Sequence, residues 1–364
     1  MLFCTQFLIG YDSERMKRGR FNMKRAITFG EIMLRLSPPG FQRFGQAKSF
    51  DVVYGGAESN ASVSLANYGV DSAFVTLVPD NPIGQSAVNE LRQFGVDTQY
   101  MVRKGSRLGI YFYEKGVSMR PSKVIYDRKD SSIAQIAAGD INWDEVFEGA
   151  DWFHFTGITP ALSASAAEET LAAVKAAKAH GVTVSCDLNY RKNLWSREEA
   201  GRVMGQIVPM VDVLIANEED AADVFGIHAS GTDIYAGKLD VEGYRSVASQ
   251  LVERFGCSKI AITLRESISA SDNNWSGMLY DGKTGEMYVS KKYSIRLVDR
   301  LGGGDSFGSG LIYALLSDYS LQDAVEYAAA ASALKQTIEG DVNRVTVPEV
   351  KNLMGGNASG RVQR

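Results

Sequence analysis

LVDRLGGGDSFGSGLIYALL, residues Leu297 to Leu316, sets three consecutive glycines before an aspartate and then a run with helical spacing, Phe307, Leu311, Leu315 and Leu316. It reads as a strand, a glycine turn and a helix. Two common phosphate-binding motifs fail on it. A P-loop needs a lysine after its last glycine to reach the terminal phosphates, and here Gly304 is followed by Asp305 and Ser306. A dinucleotide fingerprint needs a third glycine where Phe307 stands, and the acid that should follow the loop is matched only by Asp318, which comes too early. What remains is a turn without side chains at Gly302, Gly303 and Gly304, whose N–H groups form an anion hole with the helix N-terminus. Asp305 would repel an anion resting there. It makes sense as a base that takes a proton from a substrate hydroxyl while the N–H groups stabilise a phosphoryl group in transfer. It makes equal sense as a helix N-cap, worth about 1 kcal/mol. The loop alone leaves both open.

Working outward, strands and helices alternate: AFVTLV with IGQSAVNELRQFG, WFHFTG with SASAAEETLAAVKAAKAHG, TVSCDL with REEAGRVMGQIV, VLIAN with EEDAADVFG. This spacing predicts βαβ units and a mostly parallel sheet covered on both faces. RAITFGEIMLRLSPPG reads as a buried strand closed by Pro38, Pro39 and Gly40, and SFDVVYGGAESNASVSLANYGV as a strand ending at Gly55 and Gly56 followed by a helix that stops at Gly69. Between Thr98 and Arg128 three strand-like runs, TQYMVRK, GIYFYEK and SKVIYDR, have no helix between them, which suits a small antiparallel sheet standing off the main body as a lid; an edge meander on the core is the alternative. Lid strands are expected within 37–54 and 98–128, a main domain over 23–355, a disordered extension at 1–22, a loop insertion at 227–241, closing helices from Ser306 and Leu321, and a frayed tail at 356–364.

The 364 residues carry a net charge of −4, so no basic surplus exists to neutralise nucleic-acid phosphates. Cys4, Cys186 and Cys257 lie too far apart for a CxxC motif or a disulfide framework, which points to the cytoplasm, and His154, His180 and His228 show no metal-ligand spacing. No stretch reaches the roughly 18 apolar residues of a membrane span, so the chain is expected to be soluble.

Together, YGGAESNASVSLANYG and DRLGGGDSFGSG resemble the two signatures of the PfkB/ribokinase family of carbohydrate kinases, and the likeness runs from about Lys24 to Val350. The resemblance implies a ribokinase-like three-layer α/β sandwich with a small β-sheet lid, a sugar site at Gly55, Gly56 and Asn60, the anion hole at Gly302 to Gly304, and Asp305 as base. An alanine is common at the position of Gly303, and the extra glycine implies a looser backbone there. NEED, Asn217 to Asp220, resembles the family's NxxE motif for Mg²⁺ and phosphate, with Asp220 acting through water; an N-cap run is the plainer reading and both can hold. The family's Thr-x-Gly after a strand is here Thr263-Leu264-Arg265, where Arg265 can pair with a phosphate instead, and Asn343 falls where the family places its adenine pocket. ATP and Mg²⁺ are thereby implied, with room for a monovalent cation, and so is a homodimer joined through lids whose edge strands need cover.

Within the family, GEIMLRLSPP, GGAESN and CDLNYRKNLW resemble 2-keto-3-deoxygluconate kinases, whose DxNxR arginine is Arg191 here and whose lid tyrosine is Tyr111. A guanidinium suits a sugar-acid carboxylate. The arginine common two residues after that tyrosine is Tyr113 here, which leaves Arg107 or Arg128 to supply the cation. The resemblance implies phosphorylation of the terminal hydroxyl of a keto-deoxy sugar acid; a fructokinase or ribokinase acting on a neutral sugar, and a catalytically idle sugar-binding relative, are the alternatives.

Overall fold

A computed structural model of the chain describes residues 23–217, 219–228 and 241–357. The expected extension at 1–22, most of the insertion at 227–241, Glu218 and the end of the tail lie outside them.

The chain enters on strand β1 (Arg25–Phe29), leaves its sheet at Gly30 and runs through β2 (Met33–Ser37) and β3 (Asp51–Gly55) into a helix over Ala57–Asn67. β4 (Asp71–Val78), a helix over Pro82–Arg92, β5 (Met101–Arg103), β6 (Gly109–Glu114) and β7 (Lys123–Asp127) follow. Then come β8 (Trp152–Thr156), the helix Ala164–Ala179, β9 (Thr183–Asp187), the helix Arg197–Ile207, β10 (Val213–Ala216) and a short helix at Asp220–Phe225. After the helix Val241–Phe255 the strands β11 (Lys259–Ser267), β12 (Asp272–Asp281), β13 (Met287–Val289) and β14 (Tyr293–Arg296) lead to helices at Gly303–Leu316, Leu321–Lys335 and Val347–Met354.

The large sheet has the order β13-β12-β11-β10-β9-β8-β1-β4-β5, with β14 beside β12. It is parallel from β11 to β5 and antiparallel around β12. Its strands are apolar on both faces because both are covered. On one side Val174, Met204 and Leu251 come from the helices 164–179, 197–207 and 241–255; on the other, Leu65, Phe307, Leu311 and Tyr327 come from 57–67, 303–316 and 321–335. These are the three layers of the expected sandwich.

The second sheet, β3-β2-β6-β7, differs from expectation in three ways. RAITFGEIMLRLS is two strands separated by a bend at Gly30, where the Glu58 carboxyl group fills the space a side chain would take. TQYMVRK belongs to the main sheet, where β5 pairs parallel to β4 and Met101 is buried in one apolar cluster with Val88 and Leu91 of the 82–92 helix, cover that a detached strand lacks. The small sheet is mixed, because β2 runs parallel to β6 while β3 and β7 are antiparallel to their neighbours. A third closing helix, over Val347–Met354, adds to the two expected; Thr346 and Glu349 form a capping box at its start.

Candidate active site

A cavity of about 430 Å³ opens where β9 and β10 end and β11 passes beside them, at the carboxyl edge where parallel α/β sheets take ligands. Asp187, Asn217 and Thr263 reach it from those strands, Gly302 to Asp305 from the start of the 303–316 helix, and Met33, Tyr111, Tyr126 and Arg128 from the small sheet above.

Gly302 is the helix N-cap, with φ at +74°, and a Cβ there would collide with the carbonyl oxygen of Asp341. Only glycine fits such a site. Gly304 has open space beside it, whereas a Cβ on Gly303 would lie 3.2 Å from the Gln336 side chain. At Gly303, Gln336 lies against the space of the missing methyl, and Ser332 Oγ donates to Gly303 O at 2.7 Å.

Asp305 sits in the first helical turn, past the cap position, so its carboxylate does not serve as the N-cap. It accepts instead from Asn60 Nδ2 at 2.7 Å. Gly56 N donates to Asn60 Oδ1 at 3.4 Å, which fixes the amide's orientation, because a backbone N–H can only donate. Burial pushes the Asp305 carboxyl up to about 6; the Asn60 hydrogen bond lowers it, Asp341 raises it, and Arg191 and Lys335 lower it. A carboxylate titrating there is ionised at neutral pH yet basic enough to accept a proton.

Arg191, on the loop after β9, lines the same cavity, and its charge lowers the pKa of Asp187 as well as that of Asp305. Asp187 is nevertheless pushed well up, by burial first and then by Asp220 and Asp305. Tyr111 lines the cavity and donates its hydroxyl to Asp341 Oδ2, while Tyr113, two residues along the same face of β6, lies beneath the Arg35 guanidinium at 4.4 Å and packs. Of the two arginines expected to replace the missing cation, Arg107 pairs with Asp127 outside the cavity and Arg128 lines it, held by Glu31 through Nε at 2.8 Å. Gly55 lies just outside the lining; its lack of a side chain leaves room for Asp341.

At the far end, Asn217 Oδ1 accepts from Glu219 N and Asp220 N, and the Asp220 carboxylate accepts from Asn217 N and Tyr190 N at 3.0 and 3.1 Å. These bonds tie Asn217, Glu219 and Asp220 together at the start of the short helix, and all three line the cavity. β11 runs unbroken through Thr263 and Arg265 and pairs with β12 as far as Ser267, so no glycine turn forms there; Leu264 faces the core, and Thr263 and Arg265 face the cavity. Asn343 is a correction. It is buried, its amide donates to Tyr68 OH and Ser306 Oγ at 2.7 Å, and it does not border the cavity. Among the described residues no group of three or more His, Cys, Asp or Glu is arranged to hold a metal.

The model of the pfkB family of carbohydrate kinases matches residues 23–346. The chain belongs to this family. A 2-dehydro-3-deoxygalactonokinase of Haloferax volcanii is 33% identical over 92% of this chain and 98% of its own length, and a 2-dehydro-3-deoxygluconokinase of Bacillus subtilis is 27% identical over 89% and 93%. The crystal structure of 2-dehydro-3-deoxygluconokinase from Thermotoga maritima superposes with a TM-score of 0.88 at 48% identity, covering 92% of this chain and all of that one.

For this PfkB kinase the sequence reading missed the buried charges beneath the glycine loop. Arg35, on β2, pairs through Nη2 with Asp299 at 2.7 Å and through Nη1 with Asp341, bolting the small sheet to the segment before Gly302. Arg300 also lines the cavity, its pKa lowered by burial and by Arg265 beside it. Asp299 and Arg300 stand next to the glycines, and that adjacency was the available signal. Arg35 carried none, since a lone arginine on an apolar strand looks like an edge residue.

Proposed function

We propose that this kinase transfers the γ-phosphoryl group of ATP to the terminal hydroxyl of a keto-deoxy sugar acid, 2-keto-3-deoxygluconate to its 6-phosphate. The observation that carries the reading is the Asp305 carboxylate, held by Asn60 at 2.7 Å, in one cavity with Arg191 and the helix N-terminus. Arg191 and Arg128 supply cations for the sugar acid's carboxylate, and Tyr111 and Gly56 line the sugar's side. Asp305 removes the hydroxyl proton as that oxygen attacks phosphorus, and the N–H groups of Gly302 to Gly304 meet the charge on the transferring phosphoryl group. Arg265 and Arg300, with Thr263 and Asn217, line the nucleotide side.

Mg²⁺ takes one or two carboxylates, substrate phosphates and several waters, so it needs no closed protein cage. Asp187 and Asp220 suit that role, Asp220 through water because its oxygens already accept two backbone hydrogen bonds. Bound there, the ion would neutralise phosphate charge.

The small sheet serves as the lid and also as the dimer contact. Register places Val52, Leu36, Phe112 and Ile125 in one row on its face away from the cavity, with Val52 59% and Ile125 54% exposed. A second copy is the natural cover for an apolar row of this kind. Among the described residues no helix is long and apolar enough to cross a membrane, and the free, buried Cys186 and Cys257 accord with a reducing cytoplasm.

Coupled ADP release on a panel of 2-keto-3-deoxygluconate, its galacto epimer, fructose and ribose tests the substrate. Turnover on the sugar acids with little on the neutral sugars is expected. The name of the Haloferax relative makes the galacto epimer the second reading, and preference for fructose or ribose would sink both.

A further inference from the structure

The end of the Leu321–Lys335 helix grips the glycine loop from beneath. Gln336 O accepts from Val298 N and Asp299 N at 2.9 and 3.3 Å, while Ser332 holds Gly303 O. Between these contacts lies Lys335, with 0% of its surface exposed. Its Nζ donates to Gly340 O at 2.7 Å, to Asp299 O at 3.3 Å and to Leu301 O. Three carbonyls around one nitrogen call for three N–H donors, and only the protonated ammonium has them. Burial lowers the lysine's pKa and Arg35 adds to that, while Asp299, Asp341 and Asp305 favour the charge.

Backbone carbonyls of irregular segments converging on one point are the means by which proteins hold a dehydrated alkali cation. Here the charge arrives on a side chain. In a planar trans peptide the C=O and the following N–H point in opposite directions. Drawing Asp299 O and Leu301 O onto Lys335 therefore turns Arg300 N–H and Gly302 N–H away from it, and both residues line the cavity.

We propose that Lys335 is a built-in monovalent cation, a positioning residue that fixes the 299–302 loop in its anion-binding shape so that no added alkali ion is required. The inference rests on the kinase reading above, and its test includes a readout that does not need turnover.

Turnover and thermal midpoint are measured in choline chloride and in potassium chloride of equal ionic strength, for wild type and Lys335→Ala. In the wild type K⁺ should change turnover by less than about twofold and leave the midpoint in place, since an ion that binds only the native state would raise it. Lys335→Ala should lose about 10²-fold in kcat in choline, with KM for the sugar acid changed less, and should recover part of the loss, and some thermal stability, in K⁺ or methylammonium. Larger K⁺ activation of the wild type, a K⁺-dependent wild-type midpoint, or a Lys335→Ala enzyme with full turnover in choline overturns the proposal. If the variant does not fold, the wild-type comparison decides. If no sugar is phosphorylated the kinase reading fails, and the midpoints still decide the question of the cation.

Discussion

Asn60 and Asp305 stand 245 residues apart in sequence, and the Asn60 amide donates to the Asp305 carboxylate at 2.7 Å. One comes from the helix that follows β3 and the other from the glycine loop, so the contact joins the two sequence motifs at a single atom pair. It also takes Asp305 out of the helix-cap role, as the proposed base requires. The cap position belongs to Gly302, and the carboxylate of Asp305, turned to the cavity, is held by an amide that stabilises its charged form.

With its carboxyl at about 6, Asp305 gives kcat/KM an acid limb: activity should rise with pH to a midpoint near 6 and then level off, because only the ionised form accepts a proton. Asp305→Asn should lower kcat by about 10²- to 10⁴-fold while sugar binding persists. Asn60→Ala, which removes a contact that lowers the pKa, should move the limb to higher pH. A limb unmoved in Asn60→Ala would show that another group sets it.

The alternation of strands and helices exposed the three-layer fold because each unit carries its own period, and the glycine run exposed the loop because no side chain fits at Gly302. The small sheet was only half legible. Its β2–β6 pairing is parallel and links distant segments, so no hairpin turn announces it, and β5 looks like a lid strand until it is found paired with β4 and Met101 buried in the core. Lys335 was invisible for another reason. A lysine ending an alanine-rich helix reads as a solvated charge favoured by the helix dipole, and only the fold brings carbonyls from two loops around it.

Arg191 should separate acids from neutral sugars. A charge-assisted contact is worth about 1.5–3 kcal/mol, so Arg191→Ala should lower kcat/KM for the sugar acid about 10- to 100-fold. Any residual activity on fructose should change far less. Steady-state kinetics on both substrates checks this, and an equal loss on the two would assign Arg191 to holding Asp187 and Asp305.

Ile125 lies in the outward row of the small sheet and should sit at the centre of the dimer. If the lids form the proposed dimer, Ile125→Asp would bury a charge at that contact and should give a monomeric mass by light scattering at micromolar concentration, where the wild type should give a dimeric one. A wild-type monomer rules out the lid-to-lid dimer.

Glu58 makes a prediction about stability that leaves the chemistry aside. Its carboxyl is fully buried, accepts from Thr156 N, Thr156 Oγ1 and Thr159 Oγ1, and is pushed up to about 7 by that burial despite these hydrogen bonds. An acid whose folded pKa lies above its unfolded value binds more protons in the native state between the two. Its contribution to stability is therefore fully present below about 4.5 and is lost as pH rises through about 7. Glu58→Gln keeps the acceptor oxygen and removes the charge, so it should flatten this fall and be more stable than wild type by up to about 3 kcal/mol above neutral pH. Part of the slope should survive, since Asp305 and Asp187 are raised as well. Urea midpoints from pH 5 to pH 8 measure it, and equal slopes in the two proteins would mean that Glu58 keeps its ordinary titration in the fold.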